Sequence, residues 1–132
     1  MARILLAVVA VAALAWLAVS LRGYDHFVRG ERLGFAPHAT QAQADQAARL
    51  LEDARFLNPD TRPLLSKGAL LVARGGRRTQ EGLALLEQGV RREPDNVLAW
   101  GVLASATRRL DPQRSRAARA RADELSPPLP SE

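Results

Sequence analysis

From Ile4 to Val19 the chain carries no charged or strongly polar residue, and Ser20 and Leu21 extend the stretch to 18 residues. As a helix rising ~1.5 Å per residue it would be ~27 Å long, close to the ~30 Å of a bilayer's hydrocarbon core. No polar face interrupts it, as one would in a helix packed on a soluble core. The pattern therefore predicts a transmembrane anchor over residues 1–21, entering the membrane from Ile4 to Leu21. Between Arg22 and Ala39 the periodicity is lost: Gly23, Gly30, Gly34 and Pro37 are mixed with alternating charges, which predicts a juxtamembrane linker over 22–39. Helical spacing then returns. Ala47, Leu50, Leu51, Ala54 and Leu57 recur on one face, as do Leu83, Leu86 and Val90, while Arg49, Glu52, Asp53, Glu87 and Arg91 fall between them as the solvated side. Thr40, Thr61 and Asn96 or Asp95 are expected N-caps, Pro63 suits a first helical turn, and Gly75-Gly76 breaks the chain between periodic segments. The Pro-rich residues 127–132 are expected to be a disordered tail.

Self-similarity organises the region over 40–126. Three prolines stand in similar settings, Leu57-Asn58-Pro59-Asp60, Arg92-Glu93-Pro94-Asp95 and Leu125-Ser126-Pro127, at intervals of 35 and 33 residues. Five residues before each stands Ala54, Gly89 or Ala122, and twelve before stands Ala47, Gly82 or Ser115. Leu51 and Leu86 precede the first two prolines by eight; Leu65 and Trp100 follow by six, and Ala69 and Ala104 by ten. Large and small residues in this register resemble the tetratricopeptide family, most closely over Glu81–Leu103. The resemblance implies an all-α chain: a transmembrane helix, then a short α-solenoid of about five helices built from hairpins. Gly34 and Pro37 would break a helix over Glu31–Phe35, so the array is expected to begin with an unpaired second helix. The last unit departs from the family at Arg119 and at the short turn Leu110-Asp111-Pro112.

In the family, first helices line a groove that binds a protein or peptide. The corresponding positions here are Ser66, Leu70, Ala73, Leu98, Gly101, Ser105 and Arg108. With Arg108 as its single cation, such a surface is not expected to clamp a terminal carboxylate. About three units are usually needed for such a stack to be stable. Packing of the first soluble helix on the linker, self-association as a homo-oligomer, or a partner would complete this one.

Composition narrows the chemistry. There is no Cys, so disulfides, thiolate metal sites and cysteine nucleophiles are excluded. The net charge of +5 rests on Arg almost alone, Lys67 being the only lysine. Arg108, Arg109, Arg114, Arg116, Arg119 and Arg121 form the densest basic run, with Arg114 and Arg121 on one side of a helix and Arg116 and Arg119 on another; it reads either as a site for lipid or nucleic-acid phosphate or as a solvated helix side. Nucleic acid is not expected, because no aromatic residues are interleaved to stack on bases. His26 and His38 are isolated from other metal-ligand types, no phosphate loop or nucleophile elbow is present, and Trp100 falls in core register. No catalytic residue, metal or cofactor is expected.

The functional expectation is a single-pass protein-interaction scaffold or assembly factor of a bacterial cytoplasmic membrane. Its layout is similar to the C-terminal tails of some bacterial polysaccharide polymerases and ligases, which implies a place beside envelope-glycan machinery. Arg3 on one side and Arg22, Arg29 and Arg32 on the other, with Trp16 and Tyr24 at interfacial depth, flank the span; the larger number of arginines after the span would put the array in the cytoplasm, whereas the short N-terminal tail with its own Arg reads as a signal anchor and puts it on the outer face. Two alternatives stand: a secreted repeat protein cut near Ala18-Val19-Ser20, and an anionic-lipid-binding module that uses the Arg-rich last helix.

Overall fold

The computed structural model describes residues 2–56 and 58–126, and the side chains of residues 2 and 3 are not among its described features. Leu57, Pro127 and the expected tail over 127–132 lie outside the described residues. Among the described residues the fold is all-helical, with six α-helices: α1 (Ala2–Gly34), α2 (Gln41–Arg55), α3 (Arg62–Arg74), α4 (Thr79–Arg92), α5 (Val97–Thr107) and α6 (Pro112–Leu125).

Local sequence accounts for most boundaries. Thr40 caps α2 through a full capping box with Gln43, Asn96 accepts from the Ala99 amide to start α5, and Asp111 followed by Pro112 starts α6. Gly75 and Gly76, at φ 70° and 72°, turn the chain between α3 and α4 in a conformation other residues resist. Thr61 precedes α3 but its hydroxyl does not cap it; it donates to Glu93 Oε2 at 2.9 Å and ties the α2–α3 corner to the α4–α5 corner.

The expected linker is the principal correction. Residues 22–34 continue α1 without a break, so that α1 is a single helix of 33 residues, ~50 Å long at ~1.5 Å per residue. Each glycine in a helix costs about 1 kcal/mol by propensity, yet Gly23, Gly30 and Gly34 are all buried on one face. A Cβ on Gly30 would stand 2.8 Å from Leu51 Cγ, one on Gly34 3.1 Å from Ala47 Cβ, and one on Gly23 3.6 Å from the Ala54 carbonyl. The glycines are contact positions, and close approach to α2 offsets their propensity cost. Helix α2 is consequently not unpaired: its partner is the C-terminal part of α1.

Three antiparallel pairs follow, α1 with α2, α3 with α4 and α5 with α6, and α3 also touches α5. Gly68 and Gly82 bring α3 and α4 together, each placed so that an added Cβ would meet the other's carbonyl below 3 Å. In the last pair Ser115 Oγ donates to the Ala104 carbonyl at 2.7 Å, and Ala118 and Ala122 are buried. Two apolar clusters result. One joins Ala47, Ala48 and Leu51 to Leu70 and Leu71, with Phe27 and Leu33 of α1 against it; the other joins Leu65, Leu86 and Val90 to Ala99, Leu103 and Ala118. Residues 4–21 touch neither cluster, every one of them being exposed. This part of α1 is long and apolar enough to cross a membrane, and a signal sequence has the same make-up.

Candidate partner groove and charged surfaces

Short turns between antiparallel helices give the helical body two ends. One carries the α2–α3 and α4–α5 corners, joined by the Thr61–Glu93 bond. At the other, Arg74 donates to the carbonyls of Ala39 (2.8 Å) and Gly34 (2.9 Å), closing the turn after α1. Towards that second end, α3, α5, the α5–α6 turn and Arg119 in the middle of α6 enclose an open groove of about 800 Å³.

Ala73, Leu98, Gly101, Ser105 and Arg108 line the groove, five of the seven positions picked out from the sequence. Leu70 and Ser66 do not. Leu70 is buried beneath Gly34, and Ser66 donates to Glu31 Oε1 at 2.7 Å. Both lie under α1, which covers the face of α3 that an unpaired α2 would have left open. Phe35, Val102, Arg109, Leu110 and Arg119 also line the groove, and sequence reasoning did not place them there. One signal for Phe35 was present: Gly34 stands 35 residues before Ala69, which stands 35 before Ala104, so the repeat register runs back into α1.

The groove floor is small and apolar, and its rim is cationic. Leu98 and Leu110 are each about half exposed, and no carboxylate lines the groove. Arg108 and Arg109 have no acidic partner among the described residues, whereas Arg119 holds Asp123 at 3.3 Å. A Cβ on Gly101 would meet nothing within 4 Å, so the groove is open there to an incoming side chain.

The basic face expected on α6 divides in two. Arg114 pairs with Glu87 of α4, and Arg121 reaches both Glu124 (3.0 Å) and Asp95 (3.5 Å). Arg119 turns instead to the groove, and Arg116 is exposed. The Arg114 guanidinium, helped by Arg91, holds the Glu87 carboxyl below the usual glutamate range against the opposing effect of burial. Arg78, 2.9 Å from Glu81, lowers that carboxyl in the same way. At Glu52 burial works upward, but Lys67 at 2.8 Å and Arg55 at 2.7 Å outweigh it and the net shift is downward.

No family model, curated protein or solved structure matches the chain. His26 lies 3.7 Å from Asp53 across the α1–α2 contact, and His38 is exposed in the turn after α1. Among the described residues no three His, Asp or Glu side chains converge as metal ligands would. Trp100 packs at the edge of the second apolar cluster and donates from Nε1 to the Pro94 carbonyl at 2.7 Å, which occupies its polar atom.

Proposed function

We propose that the protein is a single-pass membrane scaffold of tetratricopeptide type, which keeps α1 as its anchor and holds a segment of a partner protein in the groove between α3, α5 and α6. The observation that carries this reading is the groove itself, an open apolar trough bordered by Arg108, Arg109 and Arg119 with no carboxylate in its lining. Such a surface favours a partner segment that alternates small apolar side chains with acidic ones. Retention of the anchor is supported by the continuity of α1: a peptidase acting near Ser20 would have to cut inside an unbroken helix whose next turns are packed on α2. Tethering also raises the local concentration of a membrane partner, so a shallow groove can suffice.

Photocrosslinking from Leu98 and Ser105 in full-length protein in its native membrane tests the reading. The expected result is one dominant adduct, abolished by Gly101→Leu, which fills the groove without touching the fold. Adducts that persist unchanged in Gly101→Leu, or no adduct from either position, would overturn the groove as the working surface.

A further inference from the structure

We propose that the α2–α3 corner is a second membrane contact, with Phe56 seated in the lipid interface from which α1 emerges. The inference rests on the reading of α1 as a retained span and adds a lipid-binding surface to it. Its first support is height along α1. The end of α2 meets α1 at Gly23, whose missing side chain faces the Ala54 carbonyl. Phe56, two residues further, then lines a cavity of about 530 Å³ between Val19, Arg22 and His26 of α1 and Glu52, Asp53 and Arg55 of α2. Val19 and Arg22 bracket the end of the apolar run. The Phe56 ring is therefore held beside the turn of α1 that leaves the hydrocarbon.

Exposure supplies the second support. Phe56 is 71% exposed, as open as Leu6 within the apolar run, and more open than any large apolar side chain of the described helical body. Tyr24, 63% exposed, stands one residue beyond Gly23 on the same stretch of α1. An isolated exposed apolar residue needs no explanation. Tyr24 is a ring of the type enriched at membrane interfaces, and Phe56 supplies an apolar ring of the kind that seats at the headgroup–acyl boundary. Arg22, immediately after Leu21, is exposed at the level where lipid phosphates would lie. A bilayer around residues 4–21 would face the end of the body that carries this corner, and it is this corner that packs against the end of the apolar run, which selects lipid over a second protein as the occupant.

Two attachment points define an orientation. Helix α1 alone leaves the body free to rotate about its axis, and a lipid-seated Phe56 stops that rotation and presents the opposite end, with Phe35, Arg108 and Leu110, away from the surface. The chain has no native cysteine, so single-cysteine variants of the full-length protein can carry an environment-sensitive fluorophore. Phe56→Cys, Leu14→Cys and Arg77→Cys, labelled in vesicles of phosphatidylethanolamine and phosphatidylglycerol, are compared with quenchers set shallow and deep in the acyl chains.

The label at 56 is expected to be quenched at least about twofold more than that at 77, chiefly by the shallow quencher, while the label at 14 responds to the deep one. Asn58→Cys, which keeps Phe56, repeats the reading, and adding Phe56→Asp to it is expected to remove the quenching. Quenching at 14 with position 56 behaving like 77 would overturn the corner contact and leave the span intact. No quenching at 14 would overturn the span and the contact with it. A spectral shift at 56 that follows protein concentration and ignores lipid quenchers would put a second copy there and overturn the lipid assignment.

Discussion

Helix α1 is one element in two environments, and its halves differ in everything except their hydrogen bonding. Ile4–Leu21 present exposed apolar side chains and join neither core cluster, whereas Gly23–Gly34 bury three glycines against α2 and carry Phe27 and Leu33 into a core cluster. The lesson is mechanical. A helix that runs without interruption from a bare half into a packed one transmits orientation, so the groove is held by the same rod that carries the apolar run. A linker of the kind expected over 22–39 would have transmitted nothing.

The largest effect is expected from a substitution that treats the halves alike. Gly30→Leu drives a side chain into Leu51 and Ala47 and should destabilise the body by about 3 kcal/mol, at the upper end of overpacking. That corresponds to a fall in melting temperature of roughly 10 °C. Ala10→Leu, in the bare half, should change stability by less than about 0.5 kcal/mol. Thermal unfolding of both variants in detergent micelles, followed by circular dichroism, makes the comparison. Equal melting temperatures would mean that residues 22–34 do not pack on α2.

These glycines also show where sequence reasoning stopped. The apolar run was legible because a long uninterrupted apolar stretch is set by composition alone, whether it serves as a span or as a signal sequence. The hairpins of α3–α6 were legible because prolines and small residues mark corners and crossings in a fixed register. Gly30 reads as linker and Gly34 as a helix breaker because propensity is local, and it is only the nearness of Leu51 and Ala47 that makes them contact residues. The same omission displaced part of the groove. With α1 left out of the array, Ser66 and Leu70 are expected in the groove, and Phe35, at the exit of α1, has no place in it.

A smaller effect is expected at the exit of the packed half. Arg74 holds the Gly34 and Ala39 carbonyls, the former at the end of α1, with a guanidinium that is itself exposed. Arg74→Ala should cost about 1 kcal/mol and should act locally. Hydrogen exchange is expected to quicken over residues 33–40 and to stay unchanged in α5 and in the bare half of α1. Uniform quickening across the body would show that Arg74 supports the whole stack and not one turn.

The smallest effect separates the halves by titration. Ile4–Leu21 contain no ionisable side chain, so any pH dependence of unfolding belongs to the body. Glu52, Glu81 and Glu87 are each held below the usual glutamate value of 4.5 by Lys67, Arg78 and Arg114. Because the folded carboxyls bind protons less readily than the unfolded ones, their contribution is complete above pH 4.5. It is lost as pH falls through the lowered folded values. All three pairs are partly solvated, so each is worth no more than about 1 kcal/mol. Urea midpoints measured from neutral pH down to pH ~3 should therefore be flat and then decline. Glu87→Gln should start lower than the parent at neutral pH and converge on it at the acid end, since the parent has by then lost the same charge. A gap that persisted at low pH would assign the Glu87 contribution to packing across α4 and α6 and not to its pairing with Arg114.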